Sequence, residues 1–302
     1  MKLQSDIYTE VTEKIIAEME KGALPWQCSW NQGLSMPLRS NGLAYRGINI
    51  LILWMIAMKR GYNNPTWMTF KQAQELGANV KKGEKSTRIV YANSSKYEKQ
   101  NESTGETTEI TIPFLKSYAV FNCDQIENLP EKFTLATPAT FQNADERRHS
   151  LDSFFEATHA IIRHEGSQPC YSLLRDDIRL PKFTDFKSGE DYYSTLAHEI
   201  VHWTGHPSRL HRDMKSHQNS REDYAKEELI AELGASFLCA TLNITNEVRQ
   251  DHASYIQSWL RALKNDKKFI FQAATQASRA VDYLIEITSP ERIDGKEEPI
   301  AA

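Results

Sequence analysis

The 302 residues predict two domains, and a composition of 40 % hydrophobic and 25 % charged residues excludes an intrinsically disordered chain. The N-terminal residues contain no apolar run of the kind that marks a secretory signal. The most hydrophobic window, Ile48 to Met58, is too short to span a bilayer. The four cysteines form no C-x-x-C pair, so nothing requires disulfides. We therefore expect a cytoplasmic protein without a membrane partner.

The net charge of −4 is unevenly distributed along the chain. Between Arg39 and Lys99 there are eleven Lys and Arg residues and three acids, which gives this block a charge of +8. The remaining 241 residues then carry −12. A basic block inside an otherwise acidic protein indicates that this part of the chain has a polyanionic partner.

The first half of the chain predicts a small α+β domain over residues 1–130, followed by a linker over 131–143. Apolar residues at helical spacing predict helices, and β-branched and aromatic runs predict strands. The polar stretch Lys96 to Glu109 lacks apolar periodicity and predicts a hairpin loop. The predicted helices and strands are Ile7 to Lys21, Ile50 to Lys59, Lys71 to Leu76, Thr87 to Tyr91 and Ile110 to Asn122.

The second half, residues 144–302, predicts a domain of helices with a small sheet, so that the whole chain is α+β. Its first helix is predicted from Ala144 to His164, because Leu151, Phe154, Phe155, Ile161 and Ile162 share one face. The elements predicted after it are strands at Tyr171 to Leu174 and Asp177 to Leu180, then helices from Ser194, at Lys226 to Phe237, at His252 to Lys264 and at Ile270 to Ile287.

The helix predicted from Ser194 carries the motif H-E-x-x-H. His198 and His202 lie one turn apart on one face of it, where two neutral imidazoles can bind Zn²⁺. Glu199 beside them can hold a water as general base. Burying these side chains without a metal would leave costly polar groups unpaired. We therefore predict a zinc site with His198 and His202 as ligands and Glu199 as the catalytic residue.

A third protein ligand is expected on the helix that follows. The alternative, a histidine in the pattern H-E-x-x-H-x-x-G-x-x-H, is excluded because Ser208 occupies its place. Glu228 and Glu232 lie one turn apart, on a helix whose small alanines allow close approach. We predict that Glu228 is the ligand and that Glu232 accepts the free N–H of a ligating histidine. Glu227 is the alternative ligand.

The basic block interleaves its cations with aromatic residues. Proteins that bind single strands combine a positive groove with aromatic platforms, because phosphates supply affinity and every base has a π-face. A solvated basic surface is the alternative interpretation. The residues predicted to contact single-stranded DNA are Tyr45, Arg46, Lys81, Lys82, Lys85 and Arg88.

Longer segments of the chain resemble a known family. Residues 198–206 (HEIVHWTGH) and 227–234 (EELIAELG) are similar to the zincin-like metallopeptidase domain of plasmid and phage polyvalent proteins. The first half resembles the companion N-terminal domain. Together the halves resemble ArdC-type antirestriction proteins of conjugative plasmids, related also to the N-terminal part of TraC-type plasmid primases. The first-half segments that carry this resemblance are 45–49 (YRGIN), 67–70 (WMTF), 82–85 (KGEK) and 118–126 (YAVFNCDQI).

This resemblance implies a single-stranded DNA-binding domain followed by a zinc-dependent metallopeptidase fold, in a protein that shields entering DNA from restriction. Two hypotheses about its action remain open. In the first, the protein is a DNA-binding shield whose zinc domain is structural or conditionally active. In the second, it is a DNA-associated zinc metalloprotease that cleaves a host protein such as a restriction subunit. The presence of Glu199 favours retained chemistry, because a purely structural site would not need it.

Overall fold

The computed structural model has an α+β fold in which helices predominate over three small sheets. The predicted linker is described only at Glu131–Phe133, a short 3-10 turn. None of the described helices is both long and apolar enough to cross a membrane. The residues that the structure describes are 2–26, 35–100, 107–133, 144–214, 221–245 and 253–289.

In its described residues the first half has three helices and a four-stranded sheet. The sheet has the order β1-β2-β5-β4, with β1 and β2 parallel and the other pairs antiparallel, and β3 pairs with β6 in a separate ribbon. The elements are α1 (Lys2–Glu20), β1 (Leu38–Arg39), α2 (Ile48–Arg60), β2 (Thr66–Thr69), α3 (Phe70–Glu75), β3 (Asn79–Val80), β4 (Thr87–Gln100), β5 (Thr107–Asn122) and β6 (Ile126–Glu127).

Local side-chain contacts explain where these helices begin and end. Thr69 and Gln72 form a capping box, each side chain accepting a hydrogen bond from the other's backbone N–H, which starts α3. Gly61, with φ of 69°, ends α2 in the left-handed conformation that glycine adopts without strain. The Asn49 side chain exchanges two 2.7 Å hydrogen bonds with the backbone of Val90, and so ties the start of α2 to β4.

The prediction of a loop over Lys96 to Glu109 was wrong for the part that the structure describes. The backbones of β4 and β5 stay paired from Thr87↔Val120 to Gln100↔Thr107, and residues 101–106 lie outside the described residues. An antiparallel ribbon is held by backbone hydrogen bonds, which need no alternation of apolar side chains. Side-chain periodicity therefore could not reveal the extension.

The second half packs helices against a three-stranded sheet. In that sheet β7 is parallel to β9, β8 is antiparallel to it, and the order is β7-β9-β8. Its elements are α4 (Ala144–Ala157), β7 (Ile161–His164), β8 (Cys170–Ser172), β9 (Asp177–Leu180), α5 (Gly189–Thr204), α6 (Arg221–Leu242), α7 (Ala253–Asn265) and α8 (Phe269–Thr288).

The first helix of this half ends earlier than predicted. It stops at Ala157 rather than His164, because His159 has φ of 57°, in the left-handed region that a helix cannot continue through. The Thr158 hydroxyl donates to the carbonyl of Phe155 and accepts from the N–H of Ala160, which completes the stop. Residues 161–164 then pair with β9, a partner that the helical periodicity of the sequence could not indicate.

One cluster of buried apolar side chains runs through both halves of the chain. The Trp54 ring of α2 packs 5.7 Å from Phe237 of α6, measured between centroids, and Trp26 packs 5.9 Å from Trp259 of α7. The hydroxyl of Thr12 donates to the carbonyl of Lys267. The described parts of the two halves therefore stabilise each other, while the division at residues 130 and 144 remains a prediction.

Candidate metal centre

Helix α5 places the H-E-x-x-H motif inside the protein. The helix begins five residues before the predicted start, because the Ser188 side chain caps it by accepting the N–H of Asp191 at 3.0 Å. Every residue from 192 to 204 is buried. His198 and Glu199 are each 4 % exposed and His202 is 8 % exposed. The motif therefore lies in the core, where its polar atoms need partners.

Those partners come from α6, which crosses close to α5 at a glycine. A Cβ on Gly234 would lie 2.8 Å from a methyl carbon of Val201, so a larger residue would separate the two helices. Val201 precedes His202 on α5, and Gly234 lies about two turns after Glu227 and Glu228 on α6. The close approach therefore sets how far the carboxylates of α6 reach towards the histidines.

The three predicted ligands, His198, His202 and Glu228, lie together and are called the metal triad below. One ligand atom from each lies within 4.8 Å of the others. The two Nε2 atoms are 3.2 Å apart, and the carboxylate oxygens of Glu228 lie 3.6 Å from Nε2 of His198 and 3.5 Å from Nε2 of His202. Two imidazole nitrogens and a carboxylate facing one point form a donor set that suits a divalent metal.

Two further glutamates of α6 hold the opposite side of each imidazole. Oε1 of Glu232 lies 3.1 Å from Nδ1 of His198, at ion-pair distance but without the alignment of a hydrogen bond. Oε1 of Glu227 lies 3.2 Å from Nδ1 of His202. A carboxylate at Nδ1 fixes the ring and leaves Nε2 facing the metal position. The structure thus places Glu227 behind a ligand of the triad, whereas sequence reasoning considered it only as an alternative ligand.

Sequence reasoning missed Arg212, which completes this arrangement from the loop after α5. Its buried guanidinium donates to both carboxylate oxygens of Glu227, at 3.1 and 2.7 Å, and also to Thr204 and the carbonyl of Val201. Gly205 leaves the space that it occupies, since a Cβ there would lie 2.8 Å from the guanidinium. In the sequence, this contact was indicated only by Gly205, which lies three residues after His202.

The charges of this cluster compensate one another. Burial alone would lower the pKa of His202, but its contacts with Glu227 and Glu228 outweigh burial and raise this pKa to about 10. Burial alone would raise the pKa of Glu227, but His202 and Arg212 outweigh it and lower this pKa to about 2. The pKa of Glu228 is likewise lowered, by both histidines against burial. Glu227 and Glu228 therefore stay ionised at neutral pH, and an ionised carboxylate is the form that coordinates a metal.

Tyr224 is a second residue near the site that the sequence did not indicate. It lies one turn before Glu228 on α6 and is 44 % exposed. Burial and the neighbouring Glu228 carboxylate raise the pKa of its phenol. Tyr224 therefore stays protonated beside Glu228 at neutral pH.

The predicted DNA contacts all lie on the first half of the chain. Lys81, Lys82, Lys85 and Arg88, called the basic segment below, are all exposed. Arg46 is exposed as well and forms an ion pair with Asp282 of α8. Tyr45 is only 6 % exposed and packs beneath Arg39, so its ring offers no open face for stacking. A large aromatic side chain in this position contributes mainly through the apolar area it buries.

Replacing the two acids on one face of α6, one at a time, is expected to separate a ligand from a supporting residue. Glu228→Ala should nearly abolish metal occupancy, because it removes one of three protein donors. Glu232→Ala should lower the affinity about 10- to 100-fold, as loss of an outer hydrogen bond does. Metal titrations followed by calorimetry measure both, with Glu227→Ala as the matched third variant. Full occupancy in Glu228→Ala together with its loss in Glu227→Ala would assign the ligand to Glu227 instead.

Two family models match different parts of the chain. Residues 149–276 match the family model of a zincin-like metallopeptidase. Residues 5–121 match the model of the N-terminal domain of the anti-restriction factor ArdC. A zincin-like fold implies a divalent metal, and the donor set of the metal triad fits one.

Curated relatives match nearly the whole chain. A DNA primase TraC of Escherichia coli is 36 % identical over 94 % of this chain, and the chain spans only 27 % of the length of that primase. The uncharacterized protein y4eC of Sinorhizobium fredii (strain NBRC 101917 / NGR234) is 35 % identical, over 93 % of this chain and 92 % of that protein.

Two crystal structures of the antirestriction ArdC protein from plasmid R388 have the same fold. The metal-free structure is 45 % identical, with a TM-score of 0.79, over 94 % of this chain and 98 % of that one. The Mn(II)-bound structure is 43 % identical, with a TM-score of 0.77, over 93 % and 98 % of the two chains. That relative therefore takes a divalent cation, as the triad described above is arranged to do.

Proposed function

The chain belongs to the ArdC family of antirestriction proteins, and from this we propose that it binds single-stranded DNA and protects incoming plasmid DNA from host restriction. The observation that carries the DNA-binding part is the basic segment, four exposed cations between Lys81 and Arg88 in a protein of net charge −4. Exposed cations can each replace a counterion on a phosphate, which supplies affinity without reading sequence.

We further propose that the metal held by the triad is zinc. Two imidazoles and one carboxylate are the protein ligands of many catalytic zinc sites, which keep a fourth position open. A divalent ion there would supply Lewis acidity to a peptide carbonyl and to water. The chain itself supplies the orientation, through Glu232 behind His198 and through Glu227 and Arg212 behind His202.

A second function, cleavage of a host protein such as a restriction subunit, is supported by the position of Glu199. This carboxylate is 4 % exposed and follows the ligand His198 directly. In a peptidase it would accept a proton from the attacking water and deliver it to the leaving amine. Strand β8 lies at the edge of its sheet and packs against α5, so an extended peptide could pair with it beside the site.

A restriction-protection assay on three forms of the protein distinguishes the two functions. We expect Glu199→Ala to bind single-stranded DNA and to protect as the wild type does. Replacing the basic segment by four alanines should reduce protection and flatten the salt dependence of DNA affinity, by about 0.7 in log–log slope for each phosphate that is no longer neutralised. A matched control removes four exposed cations of the second half: Lys182, Lys187, Arg261 and Lys264.

The opposite pattern supports the peptidase. If Glu199→Ala loses protection while its DNA affinity is unchanged, protection depends on chemistry at the triad. If the basic-segment variant keeps the affinity and salt slope of the wild type, the DNA surface lies elsewhere on the chain.

A further inference from the structure

A cleft lies where the two halves of the chain meet and is called the seam cleft below. It is bounded by α1, by the start of α2 together with Val90 of β4, and by α8, and its volume is about 590 Å³. This is within the range of cavities that hold a small organic molecule or part of a larger one. Neither the metal triad nor the basic segment contributes to its walls.

The wall supplied by α8 is polar. Gln272, Gln276 and Arg279 follow one another at intervals of four and three residues, so their side chains share one face of the helix. Among the residues that the structure describes, these three side chains have no hydrogen-bond or ion-pair partner. Two amides and a guanidinium grouped in a cleft can recognise a ligand that carries both donors and acceptors as well as negative charge.

The opposite side of the cleft supplies the ring of Tyr8 on α1, which is partly exposed. Tyr8 lies edge-on to Phe271 of α8, with ring centroids 4.6 Å apart, and Phe271 itself is buried, with 9 % of its surface exposed. The ammonium of Lys268 lies 5.6 Å from the centroid of the Tyr8 ring. Aromatic rings next to cations are the arrangement on which unpaired bases stack while their phosphates are neutralised.

The seam cleft carries positive charge, whereas the half of the chain to which α8 belongs is acidic. Arg46 and Arg279 line the cleft together with one acid, Asp282, which is paired with Arg46 across the two halves. Lys268 at the start of α8 adds a further exposed cation. Arg279 and Lys268 thus add positive charge beside the cleft from a half of the sequence that is acidic as a whole, so the cleft favours a polyanion there.

A smaller cavity of about 270 Å³ adjoins the seam cleft, and Val90 lines both. Lys14, Arg60 and Arg88 line this second cavity, with one acid, Glu10, which is paired with Lys14. Arg88 also belongs to the basic segment. Cationic side chains therefore continue from the basic segment through the smaller cavity to Arg46 and Arg279.

We propose that the seam cleft seats part of a bound single-stranded DNA, with a base against Tyr8 and a phosphate at Arg279. This inference rests on the proposed single-strand binding and adds that the strand crosses from the first half onto α8. The second half is then part of the DNA-binding surface and not only a metallopeptidase domain. A strand held there reaches the helix that packs against both α5 and α6, the two helices of the metal triad.

The test uses the full-length protein and an oligothymidylate labelled for fluorescence anisotropy, titrated at several salt concentrations. Arg279→Ala should reduce the log–log salt slope by about 0.7, so the ratio of wild-type to variant affinity should rise about fivefold when the salt concentration falls from 1 M to 0.1 M. Gln276→Ala in the same background should weaken binding further at every salt concentration. The matched control is Arg261→Ala, because Arg261 is an exposed arginine of α7 that lines neither cavity.

A second measurement does not depend on substitutions. Ultraviolet crosslinking of the wild type to halogenated oligothymidylate, followed by mass spectrometry, should place adducts on Tyr8. The cleft assignment alone would be overturned by two results together. Arg279→Ala would bind single-stranded DNA with the affinity and salt slope of the wild type, and the crosslinks would be confined to the first half of the chain outside α1. Absence of any single-strand binding by the wild type would overturn the proposed function and this inference together.

Discussion

His202→Ala is expected to abolish stoichiometric divalent-metal binding and to lower thermal stability sharply. The substitution removes one of the two imidazoles of the triad and leaves Glu227 and Glu228 facing an empty space in the core. With metal at about 1,000 times its Kd, the wild type gains about 4 kcal/mol from binding that the variant lacks. Metal content after dialysis and melting temperature with and without chelator measure both effects.

His206→Ala is the matched control for this substitution. His206 lies four residues further along the chain, where its ring contacts Ser208 and takes no part in the triad. It should keep full metal content and a melting temperature that still falls when chelator is added. If His202→Ala keeps its full metal content, the cluster is not the metal site. The same conclusion follows if chelator leaves the melting temperature of the wild type unchanged.

Arg212→Ala is expected to cost about 3–5 kcal/mol of unfolding free energy, although the contacts of Arg212 described above include none with the metal triad. Glu227 would keep a buried carboxylate without the two guanidinium hydrogen bonds that now offset its burial. The ring of His202 would lose its fixed support in turn, so metal affinity should fall as well, by about 10- to 100-fold. Chemical denaturation of the metal-free protein measures the first effect and metal titration the second.

Arg209→Ala separates a general weakening of the loop from the loss of this particular arrangement. Arg209 is in the same loop, packs 3.9 Å from the ring centroid of Trp203 and pairs with Asp176, which lies outside the metal cluster. It should lower stability without changing metal affinity. Adding Glu227→Gln to Arg212→Ala should recover part of the lost stability, because a neutral amide is less costly to bury unpaired than a carboxylate. Equal metal affinity in the two arginine variants would contradict the role assigned to Arg212.

Part of the candidate site follows from helical spacing alone. His198 and His202 are four residues apart, and so are Glu228 and Glu232, so each pair shares a helix face wherever these helices form. Apolar periodicity located both helices, because the side that packs into a core leaves a regular pattern in the sequence. The chemistry of two histidines beside a carboxylate then indicated a metal before any distance was known.

Other parts of the molecule depend on contacts between residues far apart in sequence, which no local pattern encodes. The role of Glu227 was decided by Arg212, a loop residue that reaches it only because Gly205 leaves space. The end of α4 depended on pairing with β9, and the extension of the ribbon on backbone bonds between β4 and β5. The seam cleft exists because the apolar faces of both halves are buried in one core, which brings α8 against the start of α2. The sequence by itself thus determined which side chains share a helix face. Only the packing of those faces, a sum of many weak contacts over the whole chain, decided which faces meet.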